Sequence, residues 1–336
     1  MDRRTLLILF GVAVALAAIW FLTPEETSLN NNQLLFPGLK DELNTIDRVT
    51  VSVGDGQRVV TLERGTDQWT VAERFGYPAD VTMIRQNLIA LGNATILERK
   101  TSNPEFHERL GIEDLDRPGA KGYLLEIHRV GRDGDDAIRL IVGDASVHGK
   151  TVYVRRPGED QGLMISADFD LSKETADWLA GDLMDIASTD IKSITISHSD
   201  GEVVRIEKLS QTDPDFSVLD IPEGRELVYA SIANPVAGLL TRLTMDEVLP
   251  AESIDRMTEP SIVARFETFD GLVVEATVYA TADGTRVGFK ATSDESRAAQ
   301  ADELNSRLES WVYSLPSFKS DQLGKRLEDF LKTDGE

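Results

Sequence analysis

The segment 143–151 comes closest to a phosphate-binding loop. It combines Gly143 with the run Gly149-Lys150-Thr151, but a P-loop has one residue fewer between its glycines and continues into a helix. Here the following residues, Val152-Tyr153-Val154, are typical of a strand. The cradle of backbone N–H groups at a helix N-terminus cannot form without that helix. We therefore predict a loop between strands, with no nucleotide bound.

Metal ligation is not indicated either. The chain has no Cys, which excludes disulfides, thiolate zinc sites, cysteine-ligated iron–sulfur clusters and a cysteine nucleophile. No two histidines are spaced i, i+2 or i, i+4; the four are His107, His128, His148 and His198. Asp133, Asp135 and Asp136 resemble a calcium loop, but no Glu follows at the required spacing, so a hairpin turn is predicted. We predict no metal and no cofactor.

Catalytic residues are also not predicted. No Gly-x-Ser-x-Gly elbow is present, so the usual hydrolase signature is missing. Arg155 and Arg156, which follow Tyr153, are the notable basic spot of the first half, and a guanidinium binds phosphate or carboxylate in a bidentate manner. We name Tyr153, Arg155 and Arg156 as candidate contacts for a ligand or partner. The alternative is that they lie at a strand end and pair with an acidic surface.

The overall charge restricts the class of partner. The 336 residues include 35 Lys and Arg against 58 Asp and Glu, a formal net charge of −23. A nucleic-acid binder needs a basic surface, so this class is excluded. The hydrophobic fraction of 41% is sufficient for folded domains.

The apolar run 5–22, TLLILFGVAVALAAIWFL, predicts a membrane anchor. Its 18 residues carry no charge, and a helix of that length spans about 27 Å, close to the hydrocarbon core of about 30 Å. Arg3 and Arg4 precede the run, so the positive-inside rule keeps residues 1–4 in the cytoplasm. We predict a single-pass protein of the inner (cytoplasmic) membrane with its body in the periplasm.

Two features of this region leave alternatives open. Ala15-Leu16-Ala17 offers a signal-peptidase site, but cleavage there would leave an apolar stub, so an uncleaved anchor is preferred. Gly11 and Ala15 form a small-xxx-small pair that can pack against a partner helix, although small residues are common in such helices. Residues 23–43, which include Asn30-Asn31-Asn32, are interpreted as a polar tether.

The rest of the chain contains two similar halves. Segments 46–71 and 191–218 each alternate apolar and polar residues around an Asp-Gly pair, which is the strongest short-range signal of a β-hairpin. A second hairpin is predicted in 123–143 and in 261–280. The four predicted turns are Asp55-Gly56, Asp133-Gly134, Asp200-Gly201 and Asp270-Gly271.

Helices are predicted after the hairpins of each half. Apolar residues recur at helical spacing in 81–99 and 231–250, where a short apolar run after the helix is predicted as a strand. They recur in the same way in two closing segments, 172–186 and 296–315, with Ser172 as an N-cap. Antiparallel hairpins covered by helices on one face indicate an α+β fold, not a doubly wound parallel sheet. We predict two tandem duplicated domains after the anchor, over residues 44–187 and 188–332.

The order of several short motifs resembles the bacterial domain-of-unknown-function family 4340. The matching segments are Gln68-Trp69-Thr70-Val71, Tyr77-Pro78-Ala79-Asp80, residues 106–112, Ile141-Val142-Gly143-Asp144, residues 149–155 and residues 311–319. In 106–112, Arg-Leu replaces the usual aromatic start. The second half lacks the Gly-Asp…Tyr-Val-Arg pattern, so any function of that motif would belong to the first half. The resemblance covers about residues 40–330.

This resemblance implies a function through gene context, because such proteins are often encoded beside ABC-2-type exporters and a gliding-motility-associated auxiliary component. It implies a non-enzymatic, membrane-anchored accessory subunit whose partners are inner-membrane ABC transporter subunits or a gliding-motility-type auxiliary component. A periplasmic module that binds a lipid or polysaccharide is the alternative, and a hydrolase without a recognisable motif is a second.

Trp69, Trp178 and Trp311 are predicted as core residues, with a lipid or glycan groove as their alternative role.

Overall fold

The computed structural model describes residues 33–117, 119–132, 136–146, 150–255 and 259–333. These residues form two large sheets and a small two-stranded one, and every strand pair is antiparallel. Five α-helices accompany the sheets in this part of the chain. The α+β class predicted from the hairpins is confirmed.

The first sheet is built from ten strands. They are β1 Gln33–Leu34, β2 Ile46–Ser52, β3 Arg58–Arg64, β4 Trp69–Val71, β5 Tyr77–Pro78, β6 Thr95–Arg99, β7 Tyr123–Arg129, β8 Ile138–Ala145, β9 Thr151–Arg155 and β10 Leu163–Ser166. Their order across the sheet is β1-β6-β10-β9-β8-β7-β2-β3-β4-β5. The small sheet pairs β11 Asp182–Met184 with β15 Leu243–Thr244.

The second sheet is built from eight strands. They are β12 Ile191–His198, β13 Val203–Glu207, β14 Ser217–Val218, β16 Glu247–Pro250, β17 Ile262–Thr268, β18 Leu272–Thr281, β19 Gly284–Ser293 and β20 Trp311–Ser314. The α-helices are α1 Leu39–Glu42, α2 Val81–Gly92, α3 Asn234–Ala237, α4 Ala298–Leu308 and α5 Ser317–Leu323. Short 3-10 turns, among them Pro104–Leu110, Thr175–Trp178 and Ser188–Asp190, connect several of these elements.

The two large sheets share one strand order. Without its edge strands β1 and β5, the first sheet runs β4-β3-β2-β7-β8-β9-β10-β6, and the second runs β14-β13-β12-β17-β18-β19-β20-β16. The central strands also share an irregularity, because the pairing with the next strand shifts after Ile46 in β2 and after Ile191 in β12. The shift resets the side-chain alternation, so Ile46 and Val49 are both buried although they are three residues apart.

The predicted Asp-Gly turns lie between paired strands wherever the structure describes them. Asp55 and Gly56 both have positive φ, 61° and 64°, which is what tight hairpin turns require. Gly201 and Gly271 have φ of 95° and 88°. The Asp133-Gly134 turn lies outside the described residues.

One continuous hydrophobic core joins the two halves. Across their boundary, the Arg74 guanidinium binds both oxygens of the Glu247 carboxylate, at 2.7 and 2.9 Å. The Tyr77 ring contacts the Trp311 ring edge-on, with centroids 5.0 Å apart. Burial raises the pKa of Tyr77 above its ordinary value. The shared core and the contacts across the boundary therefore join the two sheets into one body.

The predicted tether is wrong for residues 33–43. Strand β1 pairs with β6, and the Leu35 N–H donates to the Ala94 carbonyl at 2.8 Å. Leu35 and Leu39 are buried in the core. Their apolar side chains outweigh the polar character of the segment.

The predicted anchor 5–22, its Gly11 and Ala15 and the cleavage site lie outside the described residues. Within the described part, no helix is long and apolar enough to cross a bilayer.

The first closing helix is wrong, whereas the second is confirmed as far as Leu308. Segment 172–186 contains the 3-10 turn Thr175–Trp178 and strand β11, because the backbone of Asp182–Met184 finds its partners in β15. In 296–315 the helix ends at Leu308, and Trp311–Ser314 pairs with β16. In 231–250 only Asn234–Ala237 is α-helical, although the predicted apolar residues of that segment, Val236, Leu239, Leu240 and Leu243, are all buried.

The Asp200-Gly201 hairpin, which joins β12 to β13, is attached to the C-terminal segment. Arg326 pairs with the carboxylates of Asp200 (2.8 Å) and Glu202, and the Leu327 N–H donates to Glu202 at 2.9 Å. The hydrogen bond from Arg326 lowers the pKa of Asp200. The hydrogen bond from the Leu327 N–H lowers the pKa of Glu202.

This attachment predicts a pH dependence of stability. Carboxylates whose folded-state pKa is lowered stabilise the fold above their unfolded pKa values of about 4, and that contribution is lost as the pH falls through the lower folded values. The same pKa values set the relevant range, from about pH 5 to about pH 3. Within it, we expect the melting temperature of Arg326→Gln to depend less on pH than that of the wild type. Thermal unfolding followed by circular dichroism measures it. Arg58→Gln, at an exposed guanidinium with no described ion pair, should keep the wild-type slope; equal slopes in all three proteins would contradict the prediction.

Candidate binding groove

An open groove of about 520 Å³ lies between helix α2 and the hairpin that joins β3 to β4. The Asp80 side chain caps α2 by accepting hydrogen bonds from the N–H groups of Thr82 (2.7 Å) and Met83 (3.1 Å). The capped helix begins at Val81, as the sequence predicts, and buries one apolar face in the core. Its neighbouring face forms one wall of the groove.

The floor of the groove is apolar. Half-buried Trp69 and Leu43 line it together with Ile84 and Leu88 of the helix, which are 3% and 9% exposed. Large exposed apolar side chains indicate a binding surface where they occur together. Val81 and Ile89, 41% and 46% exposed, extend this apolar surface along the helix.

The rim of the groove carries charge. Arg64 lies opposite Trp69 in the β3–β4 pair, and its Nη1 donates to the Asn44 carbonyl at 2.7 Å. Arg85 lies four residues from both Val81 and Ile89 and therefore on the same helix face. Asp67, at the hairpin tip, supplies the acidic group among the described lining residues. An apolar floor with a charged rim supports binding of an amphiphile.

A second depression, of about 690 Å³, lies on the exposed face of the first sheet. Four of its charged residues pair across neighbouring strands, Arg48 with Glu63 at 3.3 Å and Arg139 with Glu126 at 2.9 Å. Cross-strand pairs of this kind are common on solvated sheets. This depression therefore offers less for a ligand than the groove does.

Arg155 is not available to a ligand, contrary to the prediction. Its side chain is buried, with the residue 2% exposed. Nε donates to the Ile112 carbonyl at 2.7 Å, Nη1 donates to the Glu159 carbonyl at 2.9 Å, and Nη2 pairs with the Asp114 carboxylate. The guanidinium therefore holds the loop around 112–114 against strand β9.

Tyr153 and Arg156 lie near Arg155 but away from the groove. Arg156 donates to the Leu35 carbonyl at 3.0 Å and stacks on the Phe36 ring at 5.2 Å. Its side chain remains 41% exposed. Tyr153 is half-buried, with the Lys100 ammonium 6.0 Å from its ring centre. These contacts connect residues 35–36 to β9, and a role for Tyr153 and Arg156 in partner contact stays a prediction.

Three of the short motifs meet at one anchor loop, residues 104–116. A side chain on Gly143 would place its Cβ 2.2 Å from the Leu110 carbonyl oxygen. A side chain on Gly122 would place its Cβ similarly close to the Gly111 carbonyl oxygen, at 2.3 Å. His107 is buried with Nε2 2.9 Å from the Asp160 carbonyl. Segments 106–112, 141–144 and 153–155 therefore pack together as a structural unit.

This close approach makes Gly143→Ala a severe change. The methyl group meets backbone atoms, which yield less easily than the end of a side chain, so we expect the free energy of unfolding to fall by about 1–3 kcal/mol or more. Urea unfolding of the full chain in mild detergent, followed by circular dichroism, measures the loss. Gly181→Ala is the matched control, because its Cβ would meet only the Leu179 carbonyl at 3.9 Å. Equal stability of the two variants would show that the anchor loop can move aside.

The tryptophans have different environments. Trp178 is buried in the core, 1% exposed, as predicted. Trp69 lines the groove, and Trp311 packs against Tyr77 at the boundary of the two halves. The sequence reasoning missed Arg64 and Arg85, although Arg85 between Val81 and Ile89 at helical spacing was a usable signal.

The other chemical candidates take structural positions. Lys150 pairs with Asp168 at 2.9 Å, and β9 begins at Thr151, so a strand follows the glycine-rich segment as predicted. His198 is buried with Nε2 3.1 Å from the Lys325 carbonyl, while His128 lies on the exposed sheet face. His148, Asp133 and Asp135 lie outside the described residues. No group of three or more acidic or histidine side chains suited to a metal is found in the described ranges.

Comparison with protein families gives one match. The model of the domain of unknown function DUF4340 matches residues 69–258, just over half of the chain. The chain belongs to the DUF4340 family. The matched range includes Trp69 and helix α2 of the groove, the anchor loop, and both residues of the Arg74–Glu247 pair. Searches of curated proteins and of solved structures found no match.

Proposed function

We propose that this DUF4340 protein is a non-enzymatic, membrane-anchored periplasmic accessory subunit of an ABC-type exporter or envelope complex. The observation that carries the proposal is the continuous core that joins both sheets, because a body with one shared core is suited to holding a partner at a set distance. The apolar run 5–22 and the gene context of similar proteins supply the membrane and the partner class. The partners are inner-membrane transporter subunits or a gliding-motility-type auxiliary component.

Co-purification tests the accessory role. The full chain is isolated in mild detergent from a strain that expresses its whole gene neighbourhood. Transporter subunits should be recovered in a fixed ratio to the protein. Recovery of the protein alone, with the transporter present in the same membranes, would count against the proposal.

Reporter fusions test the proposed location. The positive charges of Arg3 and Arg4 keep the N-terminus inside, so a reporter that is active only in the periplasm should function when it is fused after Glu336. Arg3→Glu with Arg4→Glu should reduce that activity. Activity of a cytoplasm-only reporter at the same position would reverse the orientation.

A second candidate function is binding of a lipid in transit, and the groove favours it. An apolar floor that contains Trp69, Ile84 and Leu88 suits a hydrocarbon chain better than a polysaccharide, whose hydroxyl groups would lose hydrogen bonds there. Native mass spectrometry of the protein purified from its own host tests this function. Spectra without any bound lipid would argue against it.

We further propose that the two halves arose by tandem duplication, with repeats over about 44–187 and 188–332. The shared eight-strand order and the equivalent shifts after Ile46 and Ile191 support it. An experimental structure should superpose β2 on β12 and place Asp55-Gly56 and Asp200-Gly201 at equivalent hairpin tips. Turns that fall in unrelated positions after superposition would refute the duplication.

A further inference from the structure

We propose that the groove binds a single-chain lipid with an anionic headgroup, with the acyl chain on the apolar floor and the headgroup at Arg85 and Arg64. This inference rests on the second candidate function and adds the class of lipid. The occupant is specified by three properties of the groove, namely its floor, its rim charge and its position near the start of the described chain.

The floor sets the apolar part of the ligand. A volume of about 520 Å³ lies within the range of about 300–1,000 Å³ found for small-molecule sites. Trp69, Ile84 and Leu88 line the groove together with Val81 and Ile89, and the last two remain exposed in the described structure. An acyl chain laid along α2 would cover these two side chains, and the removal of their apolar surface from water favours binding.

The rim sets the charge of the headgroup. The chain as a whole is strongly acidic, with a net charge of −23, yet two guanidinium groups and one carboxylate line the groove. Neither Arg64 nor Arg85 forms an ion pair with an acidic group of the described residues. Nη1 of Arg64 is held by the Asn44 carbonyl, which orients the remaining N–H groups. Guanidinium groups bind carboxylate and phosphate oxygens through paired hydrogen bonds.

The position of the groove points to the bilayer as the source of the lipid. Leu43 and Asn44, near the start of the described chain, line it. Ten residues, 23–32, separate the apolar run from Gln33, and a chain of that length reaches at most about 36 Å. With 5–22 in the membrane, the body that carries the groove starts close to the lipid surface.

Photolabelling of the full chain tests the inference. The protein is reconstituted into phosphatidylcholine nanodiscs and irradiated with a diazirine-bearing palmitate. The matched probe is the corresponding long-chain alcohol, which carries the same diazirine and no charge. Peptide mass spectrometry should place the palmitate label within residues 64–69 and 81–89.

Three variants separate the parts of the inference. Arg85→Gln removes the charge from an exposed helix position and should raise the half-saturating palmitate concentration about tenfold, as expected for a lost charge-assisted hydrogen bond. Ile89→Glu should abolish the groove label. Arg58→Gln, an exposed arginine outside the groove, should bind as the wild type does. Circular dichroism verifies that each variant is folded.

The outcomes distinguish the inference from the function beneath it. Labelling confined to peptides outside 64–89 would overturn both lipid binding in the groove and its anion selectivity. Groove labelling that is equal for palmitate and the alcohol, and unchanged in Arg85→Gln, would keep lipid binding and overturn the anionic headgroup.

Discussion

Replacing Val51 by Asp is expected to unfold the protein. Val51 is fully buried in β2, opposite Val60 of β3 and Leu125 of β7. An Asp side chain there loses its water without gaining a partner, so it must either remain charged in an apolar core or bind a proton. We expect a loss of more than about 4 kcal/mol, at the extreme of single-residue effects. Circular dichroism and urea unfolding of the full chain in detergent measure it.

The control for this experiment is the same substitution at an exposed strand residue. Val203 begins β13 and is 36% exposed, so Val203→Asp should change the free energy of unfolding by no more than about 0.5 kcal/mol. Similar stability of Val51→Asp and Val203→Asp would mean that β2 is not a central strand of the core.

Arg155→Met is expected to have the second-largest effect. The change removes the charged donor of the Ile112 and Glu159 carbonyls and the partner of Asp114, while the methionine preserves much of the side-chain volume. Because hydrogen bonds from charged groups are stronger than neutral ones and the Ile112 carbonyl is left without its side-chain donor, we expect a loss of about 2–4 kcal/mol. The ion pair with Asp114 contributes little to this loss of stability, since the Asp114 side chain is 56% exposed. Urea unfolding gives the magnitude.

The neighbouring arginine is the matched control. Arg156→Met loses a hydrogen bond to the Leu35 carbonyl, a stacking contact with Phe36 and an ion pair with Glu159 at 3.7 Å. Because this side chain is 41% exposed, we expect a loss of about 1 kcal/mol or less. Hydrogen exchange of residues 104–116 should increase in Arg155→Met and not in Arg156→Met. An equal loss of stability in both variants, with unchanged exchange, would contradict the assignment of Arg155 to the anchor loop.

The sequence by itself determined the local elements. The Asp-Gly turns and the alternation around them predicted the hairpins of both halves, because a tight turn that needs a residue with positive φ specifies its own geometry. Helix α2 was predicted for a similar reason, since the helical spacing of Ile84, Leu88 and Leu91 depends only on residues a few positions apart. The order of the short motifs was sufficient to identify the family.

Only the tertiary structure decided the features that depend on contacts between distant residues. Asp182–Met184 forms a strand and not a helix because its partner, Leu243–Thr244, lies some sixty positions away along the chain, and no local pattern encodes that pairing. The sequence predicted Arg155 as a surface contact, whereas the fold surrounds its guanidinium with the Ile112 carbonyl and the Asp114 carboxylate. The groove combines Trp69 of one strand with Arg85 and Ile89 of a helix, and its shape depends on how α2 packs against the sheet. Spacing along the chain reports which side chains share a face of one element, whereas packing between elements decides which of them meet.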